Sequence, residues 1–214
     1  MEPLTVTGMV LSVRPIGEYD NRIVLLTRER GKISAFAKGA KRPKSRLSAV
    51  GPFTYGQFEM HEGASSYTMY GAEVENYFEK LRTDVEGAYY GFYCLEIADY
   101  FGRENNDEWP MLKLLYTTIR ALERGVCSRE LIRAVFELRV LAVNGYAPRL
   151  DREELGKVTK YTMQYALEAP LKSLYAISVQ QETVDEIRAG NDKLLAGLID
   201  RPIKSKEMLE LIVH

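Results

Sequence analysis

The sequence predicts an α+β protein, with a small five-stranded β-barrel over residues 1–78 and a mainly α-helical domain over residues 79–214. Three observations carry this reading. The first 75 or so residues break into short β-branched or alternating runs punctuated by Gly and Pro. From about residue 78 the apolar residues recur at helical spacing instead. Charge divides along a similar line: residues 1–60 hold 10 Lys+Arg against 5 Asp+Glu, and the remainder holds 19 against 25. The length of 214 residues and a hydrophobic content of 46% allow one large domain or two small ones with a real core.

The strands follow in order. Thr5–Val13 (TVTGMVLSV) is rich in β-branched residues, and Arg22–Thr27 (RIVLLT) is short and apolar, as a strand covered on both faces would be. Gly31–Lys38 (GKISAFAK) alternates, with Ile33, Ala35 and Ala37 on one face and Lys32, Ser34, Phe36 and Lys38 on the other. Phe53–His61 and Tyr67–Val74 complete the set, and Gly31, Gly39, Pro43, Gly51-Pro52 and Gly63 fall between strands. Five short strands in fewer than 80 residues predict a small barrel of the OB type.

The helices come next. Leu81–Arg103 has helical apolar spacing, and Trp109–Arg124 places Pro110 in a first turn. Ser128–Asn144 has Ser128 as an N-cap and Asn144-Gly145 as a stop. Residues 159–182 read either as a helix broken at Pro170 or as two short strands. Thr183–Leu198 and Lys204–Ile212 close the chain as helices. The Ser128–Asn144 helix is apolar nearly all round, so it is predicted to sit at the centre of the second domain. On its wheel Arg139 falls on the apolar arc, while Arg133 and Glu137 lie on the narrow polar side. A guanidinium on a packed face needs a partner. Two readings stand: an internal ion pair with Glu96 or Glu137, or Arg133 and Arg139 lining a groove for an acidic partner peptide.

Function is most legible in Arg28–Arg46 (RERGKISAFAKGAKRPKSR). It holds eight basic side chains and one acid, Glu29, on a chain whose net charge is −1. Such a segment is suited to a polyphosphate backbone. Lys38, Lys41, Arg42, Lys44 and Arg46 form its core, Gly39, Ala40 and Ser45 allow close approach, and Pro43 stiffens it. Arg14, Arg22, Lys32, Arg28 and Arg30 extend the path if the strands fold as predicted. Phe36 shares a face with Lys32 and Lys38 and is the favoured base-stacking ring, ahead of Tyr55, Tyr67 and Tyr70. No base-reading motif is present, so little sequence specificity is expected.

Gly31–Ser48 (GKISAFAKGAKRPKSRLS), followed by Pro52-Phe53-Thr54, resembles the signature of the RecO family of bacterial recombination mediators. The resemblance continues at Phe136–Leu150 (FELRVLAVNGYAPRL) and at Arg201–Leu209 (RPIKSKEML). It implies an N-terminal OB-fold, a helical second domain, and binding to single- and double-stranded DNA with annealing of complementary strands. It also implies binding to the acidic C-terminal tail of single-stranded DNA-binding protein, and loading of RecA together with RecR. It implies no catalysis and no cofactor. Many relatives carry a four-cysteine zinc module after the segment matching Gly145–Arg152. This chain reads DREELGKVTKYTMQY there, without Cys or His, so no structural zinc is expected and residues 151–182 replace that module.

The remaining signals narrow the class. Cys94 and Cys127 form no CxxC pair and read as reduced, packed thiols. The opening MEPLTVTG lacks a secretion leader, and no apolar run is long enough to span a bilayer, so a cytoplasmic, nucleoid-associated protein is expected. Glu153-Glu154 and Asp185-Glu186 are paired carboxylates in polar segments, and no GxxxxGK[ST] loop occurs, so the chain is not read as an enzyme. The rival readings are an RNA-binding or ribosome-associated OB-fold protein and a pure interaction scaffold.

Overall fold

The structure is a computed structural model that describes residues 2–64, 66–150 and 155–213. The chain forms two compact units, Met1–Glu79 with Leu95–Leu112, and Lys80–Cys94 with Lys113–His214.

The first unit holds five strands, β1 (Glu2–Ile16), β2 (Asp20–Thr27), β3 (Gly31–Ala37), β4 (Tyr55–Glu62) and β5 (Tyr67–Asn76). They close into a barrel in the order β1-β2-β3-β5-β4, with β3 and β5 parallel and β1–β2, β1–β4, β2–β3 and β4–β5 antiparallel. This is the predicted OB barrel. The alternation read in β3 holds: Ile33, Ala35 and Ala37 are buried, and Phe36 is outward. They meet Val6, Val10, Ile23, Leu25, Phe58 and Met60 in one core. β1 runs beyond the predicted Thr5–Val13 because one strand serves two neighbours. Its first half pairs with β4 and its second with β2, with a register shift between Val10 and Ser12. Such a bulge bends a strand around a barrel. β4 begins at Tyr55 rather than at the predicted Phe53, because Phe53 adopts a left-handed φ of 70° that no strand accommodates.

Residues 95–112 pack with the barrel, so the chain is not cut cleanly at residues 78 and 79 as the sequence predicted. The β2–β3 turn explains this. Lys32 N donates to Arg103 O at 2.9 Å, Asn105 N donates to Arg30 O at 2.9 Å, and Gly31 bridges Glu104. Gly31 has a φ of 65°, and a Cβ there would lie 2.2 Å from Arg103 O, so only glycine fits.

The helices are α1 (Glu79–Thr83), α2 (Val85–Phe101), α3 (Trp109–Arg124), α4 (Arg129–Val143), α5 (Lys157–Glu168), α6 (Gln181–Leu198) and α7 (Lys204–Val213). The predicted helix over Leu81–Arg103 is broken at Asp84, whose carboxylate accepts from Gly87 N at 3.1 Å and caps α2. Ser128 caps α4 as expected, accepting from Leu131 N at 3.3 Å. α4 is buried from Leu131 to Leu138 and packs against α5 and α6. Residues 159–182 take the broken-helix alternative: α5 stops before Pro170, and turns follow through Tyr175. Residues 151–154 of the zinc-replacing stretch, and with them Glu153-Glu154, lie outside the described residues. No helix among the described residues is long and apolar enough to cross a membrane.

Candidate nucleic-acid interface

Strand register assembles the first half of the site. Arg14 on β1 lies opposite Arg22 on β2, Arg22 lies opposite Phe36 on β3, and Phe36 lies opposite Thr68 on β5. Arg14, Arg22 and Phe36 are all exposed, so they form one row across the outer wall of the barrel, at roughly 4.8 Å per strand. Like charges placed directly opposite on paired strands repel. A bound anion relieves that repulsion, so the Arg14–Arg22 pair is suited to a phosphate. The Arg22 side chain is oriented by its Nε, which donates to Ser34 Oγ at 2.7 Å and leaves the two terminal nitrogens for a ligand. The Phe36 ring is 37% exposed.

The loop after β3 supplies the second half. Lys38, Lys41, Arg42, Lys44 and Arg46 are exposed, and none is in an ion pair with a carboxylate among the described residues. The loop is nevertheless fixed. Ala40, Leu47 and Val50 insert into the barrel core. Gly39 N donates to Asp20 Oδ1 at 2.7 Å, and Lys41 N donates to Tyr19 O at 3.0 Å. Ser45 N donates to Arg42 O at 3.2 Å across Pro43 and Lys44, and Lys44 has a φ of 62°. That is a type II turn with proline in its usual second place. Arg42 also lies 5.2 Å over the Tyr19 ring.

Other predicted site residues fall elsewhere. Lys32 is corrected: its ammonium lies 3.3 Å from Asp99 Oδ1 and donates to Asp99 O at 2.5 Å, so it is engaged by α2 rather than free for phosphate. Arg28 lies 5.0 Å over the Trp109 ring, and Arg30 pairs with Glu62 at 3.1 Å. Tyr67 is buried, Tyr55 is half-buried, and Tyr70 stacks on His61 with ring centroids 4.5 Å apart. Exposed Glu59, Glu73 and Glu75 sit on β4 and β5, so the outer wall is basic on β1–β2 and acidic on β4–β5.

In the helical unit, the assignment of Arg133 and Arg139 to a peptide groove is corrected. Arg133 is 3% exposed; its Nε donates to Glu137 Oε1 at 2.8 Å, and its guanidinium lies 4.5 Å over the Tyr93 ring. Burial alone would lower its pKa, but Glu137, Tyr93 and Asp192 hold it above the usual arginine value. Arg139 donates to Leu167 O and Ala169 O and so caps the carboxyl end of α5. Neither side chain offers a free guanidinium to a partner.

A different groove is present. α3 and residues 171–176 enclose about 520 Å3, with Ala121 and Val126 on the apolar side and Arg120, Arg124 and Lys172 at the rim. The spacing of Arg120 and Arg124 on one helix face was readable, but their meeting with Lys172 was not.

The donor set does not fit the zinc module of relatives. Residues 155–182 contain no Cys or His, and no group of three or more candidate ligands occurs among the described residues. Burial raises the Cys94 thiol well above its usual value and the Cys127 thiol to about 11, which disfavours the thiolate that zinc requires.

Residues 1–78 match the family described as Recombination protein O N terminal, and residues 82–159 match Recombination protein O C terminal. The DNA repair protein RecO of Alkaliphilus metalliredigens (strain QYMF) is 37% identical over 144 residues, covering 67% of this chain and 58% of that relative. The DNA repair protein RecO of Halalkalibacterium halodurans is 33% identical over 146 residues, covering 68% and 57%. In both, the chain spans less than two thirds of the relative's length. The DNA repair protein RecO of Clostridium perfringens is 24% identical over 237 residues, covering 96% of each chain. Two profiles matched in succession, on an OB barrel followed by helices, make this chain a member of the RecO (recombination protein O) family.

Proposed function

We propose that this protein is a recombination mediator in DNA repair that holds DNA by its backbone on the outer wall of the barrel. The observation that carries this is the anchored loop bearing Lys38, Lys41, Arg42, Lys44 and Arg46, exposed and without carboxylate partners, on the same unit as the Arg14–Arg22–Phe36 row. Each cation that neutralises a phosphate releases counterions, with a salt slope of about −0.7 per contact on single strands and about −0.9 on duplex. Cations directed at the backbone leave base edges free, which is what annealing two complementary strands requires. The acidic wall of β4 and β5 confines the strand to one side. The acidic tail of single-stranded DNA-binding protein is proposed to dock in the groove lined by Arg120, Arg124 and Lys172, whose charges match an acidic chain. With RecR, the protein then helps load RecA onto strands coated by that partner.

The test is fluorescence anisotropy of a labelled single-stranded oligonucleotide across salt, with duplex DNA and RNA in parallel. Wild type is compared with the quadruple variant Lys38→Ala, Lys41→Ala, Arg42→Ala, Lys44→Ala. A slope that shrinks by roughly 0.7 per lost contact is expected. Equal binding by the variant at every salt concentration would remove the loop from the DNA path, and stronger binding to RNA would favour an RNA-directed role.

A further inference from the structure

Beside the basic row the barrel carries a cleft that backbone contacts alone leave unfilled. Arg22, Ser34, Phe36, Glu62, Glu104 and Asn105 line about 570 Å3 at the Phe36 end of the basic row. Charge is sorted across it. Arg22 supplies a guanidinium already oriented by Ser34, and Phe36 supplies an exposed ring face. Glu62 and Glu104 supply carboxylates. Glu62 holds Arg30 through Oε2 at 3.1 Å, and its Oε1 lies 3.5 Å from the Tyr67 hydroxyl. Glu104 is exposed, and no side-chain hydrogen bond or ion pair engages it among the described residues. The Tyr67 phenol is held above its usual pKa by burial first, then by Glu62 and Glu104, with Arg30 opposing, so both charges reach the same spot.

Two carboxylates repel a phosphate. Set beside an aromatic ring and one arginine, they accept hydrogen bonds from the far edge of a group whose phosphate sits on the arginine. Cytosine, adenine and guanine carry an exocyclic amino donor. Thymine presents carbonyl oxygens flanking a single imide N–H, so carboxylate oxygens meet its lone pairs. Base stacking on a ring tolerates any base, so discrimination has to come from that edge.

We propose that this cleft seats one unstacked base of the bound strand, with its phosphate on Arg22, its face on Phe36 and its amino group donated to Glu104 and Glu62. The protein therefore prefers amino-bearing bases, cytosine among them, over thymine at that position. The inference rests on the DNA-binding reading and adds a local base preference to a backbone-directed interface.

The experiment uses the full chain and two labelled 15-mers, all-dC and all-dT, in the anisotropy assay. Wild type is expected to bind the dC strand on the order of tenfold more tightly, the scale of one good edge contact. Glu104→Gln offers a donor to thymine O4 and is expected to bring the ratio close to one by strengthening dT binding. Phe36→Ala is expected to weaken both strands. Equal wild-type affinities, or a ratio unchanged in Glu104→Gln, overturn the base seat. If both strands bind equally with the full salt slope, only this inference falls. If neither binds, the DNA-binding reading falls with it.

Discussion

Three donors converge on the fully buried Glu137 carboxylate: Arg133 Nε and Tyr93 OH on Oε1, at 2.8 and 2.6 Å, and Asn191 Nδ2 on Oε2 at 3.2 Å. Removing the cation leaves that carboxylate uncompensated in a dry interior. Arg133→Ala is therefore expected to destabilise the protein by about 3–5 kcal/mol, read as a lowered urea midpoint. The double variant Arg133→Met, Glu137→Leu is expected to recover most of the loss, since it removes both charges and keeps volume. A loss for Arg133→Ala within about 1 kcal/mol, the scale of an exposed pair, would mean that water reaches the site. The wheel of α4 put these two residues on its polar side and Arg139 on its apolar side, and burial runs the other way. A wheel assigns angles, and a helix enclosed on every side has no outer face for them to mark. The i,i+4 spacing of Arg133 and Glu137 was the readable clue. Lys32 misled for a related reason. Alternation puts it on the outer wall of the barrel, and no local pattern tells that Asp99, 67 residues on, meets it there.

Among the elements, the loop after β3 was legible because its cations are neighbours in the chain. The Arg14–Arg22–Phe36 row was only half legible, since strands can be read from composition but their register depends on turns and bulges such as the shift at Val10. The groove beside α3 was not legible, because Arg120 and Lys172 are brought together only by the turn that follows Pro170. Its role can be separated from that of the barrel. Arg120→Glu with Lys172→Glu is expected to lower affinity for a labelled peptide of the acidic partner tail by more than about tenfold, the scale of opposed charges at an interface. Single-stranded DNA binding is expected to stay at the wild-type level. Unchanged peptide affinity would move the docking site off this groove.

For the whole molecule, the order of barrel and helices followed from periodicity, and the boundary did not, because residues 95–112 join the barrel through contacts distant in the chain, among them the close approach at Gly31 and the Lys32–Asp99 pair. The second unit has a further property that depends on pH. Cys94, Cys127, Tyr90, Tyr93 and Tyr175 all have raised pKa values, chiefly through burial, with Cys127 at about 11 and Tyr90 at about 12. Unfolded, the thiols titrate near 9.0 and the phenols near 10.0. Above pH 9 the unfolded chain has released protons that the folded chain keeps, so stability is full below that pH and falls as pH rises. Urea midpoints are expected to stay level from about pH 7 to 8.5 and to drop steadily up to about pH 11; a midpoint that rises with pH would contradict this burial. In the barrel, the loop that bears the cations keeps its two tasks on different residues. Ala40, Leu47 and Val50 hold it in place, while Lys41, Arg42 and Lys44 set the field around it. Exchanging one of these cations for a neutral residue weakens that field and leaves the barrel as it was. A larger side chain at Ala40 has no such latitude. Surface charge and fidelity of folding are thus set by different residues within a dozen positions.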